Sequence, residues 1–533
     1  MMPPPLTVEA PHATRTSSRK IPASLLLLIL FVSILVLHIP LLNLPYYWDE
    51  VGYFVPAARD FLLRGDPVPI NTLSNAHPPL VMIYLALCWK LFGESIVVTR
   101  VAMLFVAASA LLGVFCLARR ITNRVVAIAS TLVTALYPVF FAQSSLAHLD
   151  MAAAALTIWG LFFYLPPHST ETDEDSISST PPPLAWKHLA ASIVLFALAA
   201  LAKETAILTP LTLFGWELVT LCWRGWKRKP AINVRDARTN VVKAFSLLLS
   251  LLPLALWLAY HYHRTGYVFG NPEFFRYNVE ATLTPARIMF AGAERLWHVT
   301  GHMNLFLLTG AAALLMLRRP LRDAGGERRR INVETQLVFA VLVAAHVAAL
   351  SLVGGAVLAR YMLPVTPLLI IICVSTLWRR TRNWRKLIIV VCAGFVLALF
   401  VNPPRRYPWE ENLAYRDFIL LHKEAAHFIA NNHPEARVLT AWPAIDELRE
   451  PYFGYTTRPL SVVTIEHFSI EHLAAARDAS RFDIALVFST NYPRDLRPDE
   501  AASLLGGHII FREERQGQWV AIIGMRAEGG GMK

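Results

Sequence analysis

Just past its first long apolar run the chain reads Tyr46-Tyr47-Trp48-Asp49-Glu50. Two carboxylates among aromatics at a membrane surface could do chemistry. Apolar surroundings disfavour the ionised form, so a carboxylate held there is a stronger base, suited to taking a proton from a hydroxyl. The same residues also fit an interfacial aromatic belt with a solvated acidic pair. Asn75-Ala76-His77-Pro78-Pro79-Leu80 follows. Its prolines force an extended backbone and could hold His77 near Asp49, or leave it as a loop residue capping the next helix. His148 and Asp150 open a later apolar run. An acid there is favoured by the helix dipole, but facing the first-loop pair the two could hold an acceptor or a metal.

Other patterns are weaker. His261/His263 and His298/His302 have no carboxylate at ligand spacing. Asp173-Glu174-Asp175 spells a DxD motif, but in a polar linker. Glu217 lies inside an apolar run, where it is costly unless paired, and the sequence names no partner for it. The five cysteines form no CxxC pair and lie in or beside apolar runs, which indicates neither a zinc site nor a disulfide framework.

The elements that must position these residues are membrane helices. Of 533 residues 55% are hydrophobic and only 17% charged, with mean hydropathy +0.43, and a soluble chain is nearer a quarter charged. A basic tail, residues 1–20, precedes the first run, Ile21 to about Leu44, which is too long for a signal-peptide core. Ten more runs follow, near Ile96–Ala118, Val125–Phe141, Leu149–Leu165, His188–Ala202, Ala206–Trp223, Val241–Tyr260, Met303–Leu317, Glu334–Val353, Tyr361–Leu377 and Leu387–Val401. With the N-terminus in the cytoplasm, the connections Arg119–Arg124, Arg224–Lys243, Arg318–Arg330 and Arg379–Lys386 fall inside, with 3, 7, 6 and 5 basic residues. The facing connections Gln143–Leu149, Lys203–Thr205 and Gly354–Arg360 carry none, one and one. This is the positive-inside asymmetry, and it accounts for the net charge of +12 without nucleic acid.

The expected fold is therefore mainly α: a polytopic bundle of about eleven spans over residues 21–401. A first outer loop, 45–95, and an outer α/β domain, 402–533, complete it. In the loop, Val55–Arg64 predicts an amphipathic helix starting near Pro56 and stopping at Gly65, and Pro79–Phe92 an interfacial helix. The acidic linker Pro166–Lys187 falls inside. In the outer domain, helical patterns at Leu413–Asn431 and Ile470–Ala479 alternate with strand-like runs at Arg437–Thr440, Ile484–Phe488 and Val520–Ile523.

In chain order, Asp49-Glu50 with Tyr53, a short helix ending Arg64-Gly65, His77-Pro78-Pro79-Leu80, Leu91-Phe92-Gly93 and Arg100 resemble the first loop of GT-C glycosyltransferases. The resemblance is closest to protein O-mannosyltransferases and lipid A aminoarabinose transferases. Leu201-Ala202-Lys203-Glu204 resembles that family's Leu-x-Lys turn, and Ala359-Arg360-Tyr361-Met362-Leu363-Pro364 with Pro367 its Arg-Tyr-x-x-Pro segment. The resemblance covers about the first 400 residues. It implies Asp49 as catalytic base or acceptor-positioning residue, with Glu50 as its partner. It implies His77, Lys203 and Arg360 as holders of a polyprenyl phosphate, with a His where the aminoarabinose transferases have Lys. Tyr53, His148, Asp150, Glu204 and Tyr361 are expected to line the site or meet the acceptor. The cations also fit plain snorkelling at helix ends.

The resemblance thus implies an inner-membrane transferase working on the outer face, where no nucleotide sugars exist. It would move a sugar from a polyprenyl-phosphate donor to a hydroxyl of a protein, lipid or polysaccharide, with inversion. No cofactor beyond the lipid-linked donor is implied, and a divalent metal stays open. The rival readings are a lipid or polysaccharide transporter, which predicts repeats and broken helices at mid-membrane, and a non-catalytic envelope-assembly protein.

Overall fold

A computed structural model of the protein describes residues 22–166, 184–226, 234–323, 326–404, 407–479, 481–490, 492 and 494–525. Outside them lie the basic tail, most of the acidic linker with Asp173-Glu174-Asp175, and parts of the 224–243 and 318–330 connections.

The apolar runs are helices gathered in a mainly α, multi-pass membrane bundle. Among the described residues five helices are long and apolar enough to cross a bilayer: Ala23–Leu41, Ile96–Ile121, Glu204–Trp223, Asn240–Thr265 and Val333–Leu352. A sixth is the pair Pro285–Asn304 and Phe306–Met316, bent by 99°. The other runs appear as shorter helices, Arg124–Leu136, Leu149–Tyr164, Trp186–Ala202, Thr366–Arg380 and Trp384–Phe400. By length and composition alone, five or six of the described helices qualify as full spans, beside these shorter apolar ones. Local sequence explains one of the short helices. The run Val125–Phe141 breaks at Tyr137, whose extended backbone (ψ 123°) precedes Pro138, because proline excludes its neighbour from helical geometry.

Helix Pro285–Thr300 was not legible as apolar, since Arg287 and Arg295 interrupt it. Both charges are satisfied inside the protein. Arg287 donates to the carbonyls of Gly354 and Gly355, and Arg295 to those of Ala356 and Leu358. Glu217 likewise has its partners: Lys243 Nζ donates to it at 2.6 Å, and the Tyr164 hydroxyl also donates to it.

In the first loop a π-helical turn, Glu50–Phe54, runs into the helix Val55–Arg64, with Pro56 in its first turn. Gly65 ends it at φ +70°, a left-handed cap that glycine adopts without strain. Leu80–Phe92 buries Val81, Met82, Leu85 and Trp89 and leaves Leu87, Leu91 and Phe92 exposed, as an interfacial helix would.

After the last bundle helix comes a five-stranded sheet. Its strands are β1 (Val438–Ala441), β2 (Val462–Ile465), β3 (Ile484–Phe488), β4 (His508–Arg515) and β5 (Gln518–Gly524). Their spatial order is β2-β1-β3-β5-β4, parallel across the first three and antiparallel at β3/β5 and β5/β4. The helix Ala414–Asn432 packs on β4 and β5. β2 and β4 were not foreseen, since their partly exposed faces dilute the apolar signal. This unit docks on the first loop. Tyr46 N–H donates to Phe453 O at 3.1 Å, Tyr455 OH to Tyr46 O at 2.8 Å, and Trp48 meets Trp442 edge-on at 4.8 Å.

Candidate active site

Asp49 caps the π-helical turn, its carboxylate about a third exposed (32%), and receives a charge-assisted hydrogen bond from Arg360 Nη2. Arg360 sits on a 3-10 turn, Ala359–Met362, between two bundle helices, and is buried. Its other nitrogens face His148 Nδ1 at 2.6 Å, Glu410 Oε1 at 3.3 Å and Asp150 Oδ2 at 3.5 Å. Asp150 in turn accepts from Lys203 Nζ at 2.5 Å, and Lys203 lies 3.7 Å over the Tyr361 ring. Four elements far apart in sequence thus bring Asp49, Asp150, Lys203 and Arg360 into one cluster. Snorkelling does not describe Lys203 or Arg360, because both are buried among carboxylates.

The surroundings set the charges. Burial works against the Arg360 cation, but Glu410, Asp49 and Asp150 outweigh it and hold the guanidinium well above its ordinary pKa. Burial lowers the Lys203 pKa, with Asp150 opposing. Burial and the nearby Arg360 depress His148 well below its usual range, which favours a neutral imidazole; its Nδ1 faces both Arg360 and the Gln143 amide oxygen, the latter at 2.8 Å.

His77 stands beside this cluster. Its Nδ1 is 3.2 Å from Glu204 Oε2, and its ring is wedged between Tyr53 at 5.4 Å, Phe54 at 5.8 Å and Phe274 at 5.4 Å. Tyr53 and Glu204 therefore shape the His77 pocket, while Tyr361 lines the cation cluster. Glu50 is placed differently from its neighbour. It is fully buried and turned away, bound to Arg100 by two contacts of 2.5 and 3.0 Å and capped by the N–H groups of Tyr47 and Ala147. All its acceptor positions are taken by the framework.

Two carboxylates escaped the sequence reading. Glu410 and Glu411 follow the last bundle helix in Tyr407-Pro408-Trp409-Glu410-Glu411 and are both buried. The signal was present: Tyr-x-Trp-acid-Glu repeats the pattern Tyr46-Tyr47-Trp48-Asp49-Glu50, again just past an apolar helix. In each copy the first acid faces Arg360 and the second is locked into the framework. Glu411 accepts from His302 Nε2 at 2.6 Å and Ala359 N–H at 2.5 Å; burial works against its charge, but His302, His298 and the Ala359 N–H together lower its pKa. His302 is thereby committed to a carboxylate that sequence spacing did not reveal.

Beyond Tyr361, whose ring lies 5.1 Å from Arg295, an apolar groove of about 710 Å³ runs between helices Pro285–Thr300 and Val333–Leu352. Ile288, Gly292, Leu296, Val343, Val347 and Leu352 line it. Among the described residues no group of three or more His, Cys, Asp or Glu is arranged to hold a metal. His148 and Asp150 are engaged by Arg360 and Lys203 instead.

The bundle, its buried charged cluster, the apolar groove and the α/β unit that follows have counterparts in solved structures, so the resemblance read from the first-loop motifs holds at the level of fold. Residues 76–257 match the sequence model of the family described as dolichyl-phosphate-mannose-protein mannosyltransferase. The crystal structure of ArnT from Cupriavidus metallidurans bound to undecaprenyl phosphate is similar at a TM-score of 0.58 and 16% identity, covering 95% of this chain and 99% of that one. The same protein in its apo state is similar at 0.56 and 16%, covering 94% and 98%. No curated protein sequence matches the chain.

Proposed function

We propose that this chain is a membrane glycosyltransferase that moves a sugar from a polyprenyl-phosphate donor to an acceptor hydroxyl on the extracytoplasmic face, with inversion. One observation carries the reading. Asp49, the cluster's most exposed carboxylate, is bound to the same guanidinium that offers a fork for phosphate oxygens. The match of residues 76–257 to the mannosyltransferase family and the ArnT-like fold support the donor class.

The prenyl chain lies in the apolar groove and brings its phosphate to Arg360, Lys203 and His77. Phosphate replaces Asp49 on Arg360, which leaves Asp49 without its counter-ion and therefore more basic. Asp49 takes the proton of the acceptor hydroxyl as the oxygen attacks the anomeric carbon. The bond to the lipid phosphate breaks on the opposite face, and a single base there gives inversion. The cations hold the charge that develops on the departing phosphate, so no second acid has to protonate it. The α/β unit built around the five-stranded sheet forms the outer roof over the acceptor.

Arg360→Ala should weaken donor binding roughly 10- to 150-fold, the loss of one charge-assisted contact. Arg360→Lys, which keeps the charge and loses the fork, should fall between. Titration of purified protein with a polyprenyl phosphate in detergent measures both, and wild-type affinity in the Ala variant removes Arg360 from the donor site.

The orientation is tested separately. A cysteine introduced between residues 318 and 323 should react with an impermeant maleimide only after cells are opened, and one at exposed Leu73 in intact cells. The reverse pattern turns the site to the cytoplasm and refutes the reading.

A further inference from the structure

Arg360 is flanked by more negative charge than it can balance. From the first loop Asp49 faces it; from the start of helix Leu149–Tyr164, Asp150; from the segment after the last bundle helix, Glu410. The cations in ion-pair contact with these three acids are Arg360 and Lys203, the latter already paired with Asp150, while Arg295 stands farther off beyond Tyr361. Counting the five groups in contact, with every carboxylate ionised, the cluster carries one net negative charge, which opposes an incoming phosphate.

Glu410 differs from the other two acids. Its side chain is only 6% exposed, too enclosed to meet an acceptor. Its Oε1 lies 3.3 Å from Arg360 Nη1 yet makes no hydrogen bond, whereas its backbone carbonyl is fixed by Gln143 Nε2 at 3.0 Å. The groups around it are Arg360, Asp49, Asp150, Glu411, neutral His148 and the buried hydroxyl of Tyr47. Of these, only Arg360 stabilises its charge.

We propose that Glu410 is the protonatable counter-ion of the donor-phosphate site: it carries a proton while an anionic lipid phosphate occupies Arg360 and releases it when the phosphate leaves. Each donor bound then takes up one proton from solvent, and the net charge of the cluster plus phosphate returns to that of the empty site. This deepens the donor reading above and rests on it. Burial and the neighbouring carboxylates push the Glu410 carboxyl up to about 7 against the pull of Arg360, so the proton is exchangeable near neutrality. A bound phosphate adds negative charge and raises it further. The sign follows: affinity is greatest below pH 7 and falls above it, approaching tenfold per pH unit.

The probe is the monomethyl ester of a polyprenyl phosphate, a phosphodiester whose single charge does not titrate in this range. It is titrated calorimetrically into the full-length protein in detergent from pH 6 to 9, in buffers of different ionisation enthalpy. Wild type should bind roughly 10- to 100-fold more weakly at pH 9 than at pH 6, with close to one proton taken up per ligand above pH 8. Glu410→Gln should bind at every pH as wild type does at pH 6. His77→Gln should bind more weakly throughout but keep the slope, which separates the proton on Glu410 from a general weakening of the phosphate site. Glu410→Asp, should the Gln variant not fold, keeps a slope with a shifted midpoint. A flat wild-type profile, no proton uptake, a slope retained in Glu410→Gln or a slope abolished by His77→Gln overturns the proposal. Absence of binding at every pH in wild type defeats the donor reading itself, and this proposal with it.

Discussion

Asp49→Asn should leave donor binding in place and lower sugar transfer by roughly 10²–10⁴-fold, the usual contribution of a positioned base. Asparagine keeps the shape and one acceptor oxygen for Arg360 but cannot accept a proton. Removing a carboxylate from beside Arg360 also makes the site less negative, so donor affinity should stay level or rise. That opposite movement of binding and turnover marks a base, because a general loss of structure lowers both. Single-turnover transfer from a polyprenyl-phosphate sugar by purified protein measures one arm and donor titration the other. Near-normal transfer by the Asn variant would defeat the assignment.

Glu50→Gln should act on stability instead. The Glu50–Arg100 pair is fully buried, and both carboxylate oxygens also receive backbone N–H groups. A neutral amide leaves Arg100 uncompensated, which typically costs about 3–5 kcal/mol. Its NH₂ end would also face an N–H donor. The expected result is a sharply lower yield of folded protein and a lower midpoint in detergent thermal melts, with the surviving protein retaining its per-molecule transfer rate. A stable Glu50→Gln protein with transfer abolished would move Glu50 from the framework to the chemistry.

The residues that meet at Arg360 were largely legible in the sequence because each lies at the end of an apolar run. Asp49, Asp150, Lys203 and Arg360 could all be placed on one face from the alternation of basic connections. Their pairing was not legible, since a hydrogen bond between residues 311 apart depends on which helices become neighbours. Glu50 and Asp49 looked equivalent as adjacent acids. Only the π-helical turn, which sends one side chain inward to Arg100, separates them. Glu410 was missed by reading the chain after Asn402 as a separate unit, when its first segment returns to the bundle. Pro138 divides the apolar run Val125–Phe141, and a sharp bend precedes Phe306 near the start of the run from Met303; hydropathy alone registers neither break.

Two of the three acidic partners of Arg360, Asp49 and Glu410 in their matched Tyr-x-Trp contexts, also fix an order of events in biosynthesis. A chain made from its N-terminus can close the Glu50–Arg100 clamp once a span 50 residues downstream has emerged. The working cluster must wait for Arg360, and its third carboxylate for the segment beyond the last helix of the bundle. A nascent or truncated chain therefore lacks both Arg360 and the downstream aromatic contacts that hold the Tyr46–Asp49 segment. If the proposed function holds, lipid-linked sugar in the same membrane meets a complete cluster only after insertion has finished.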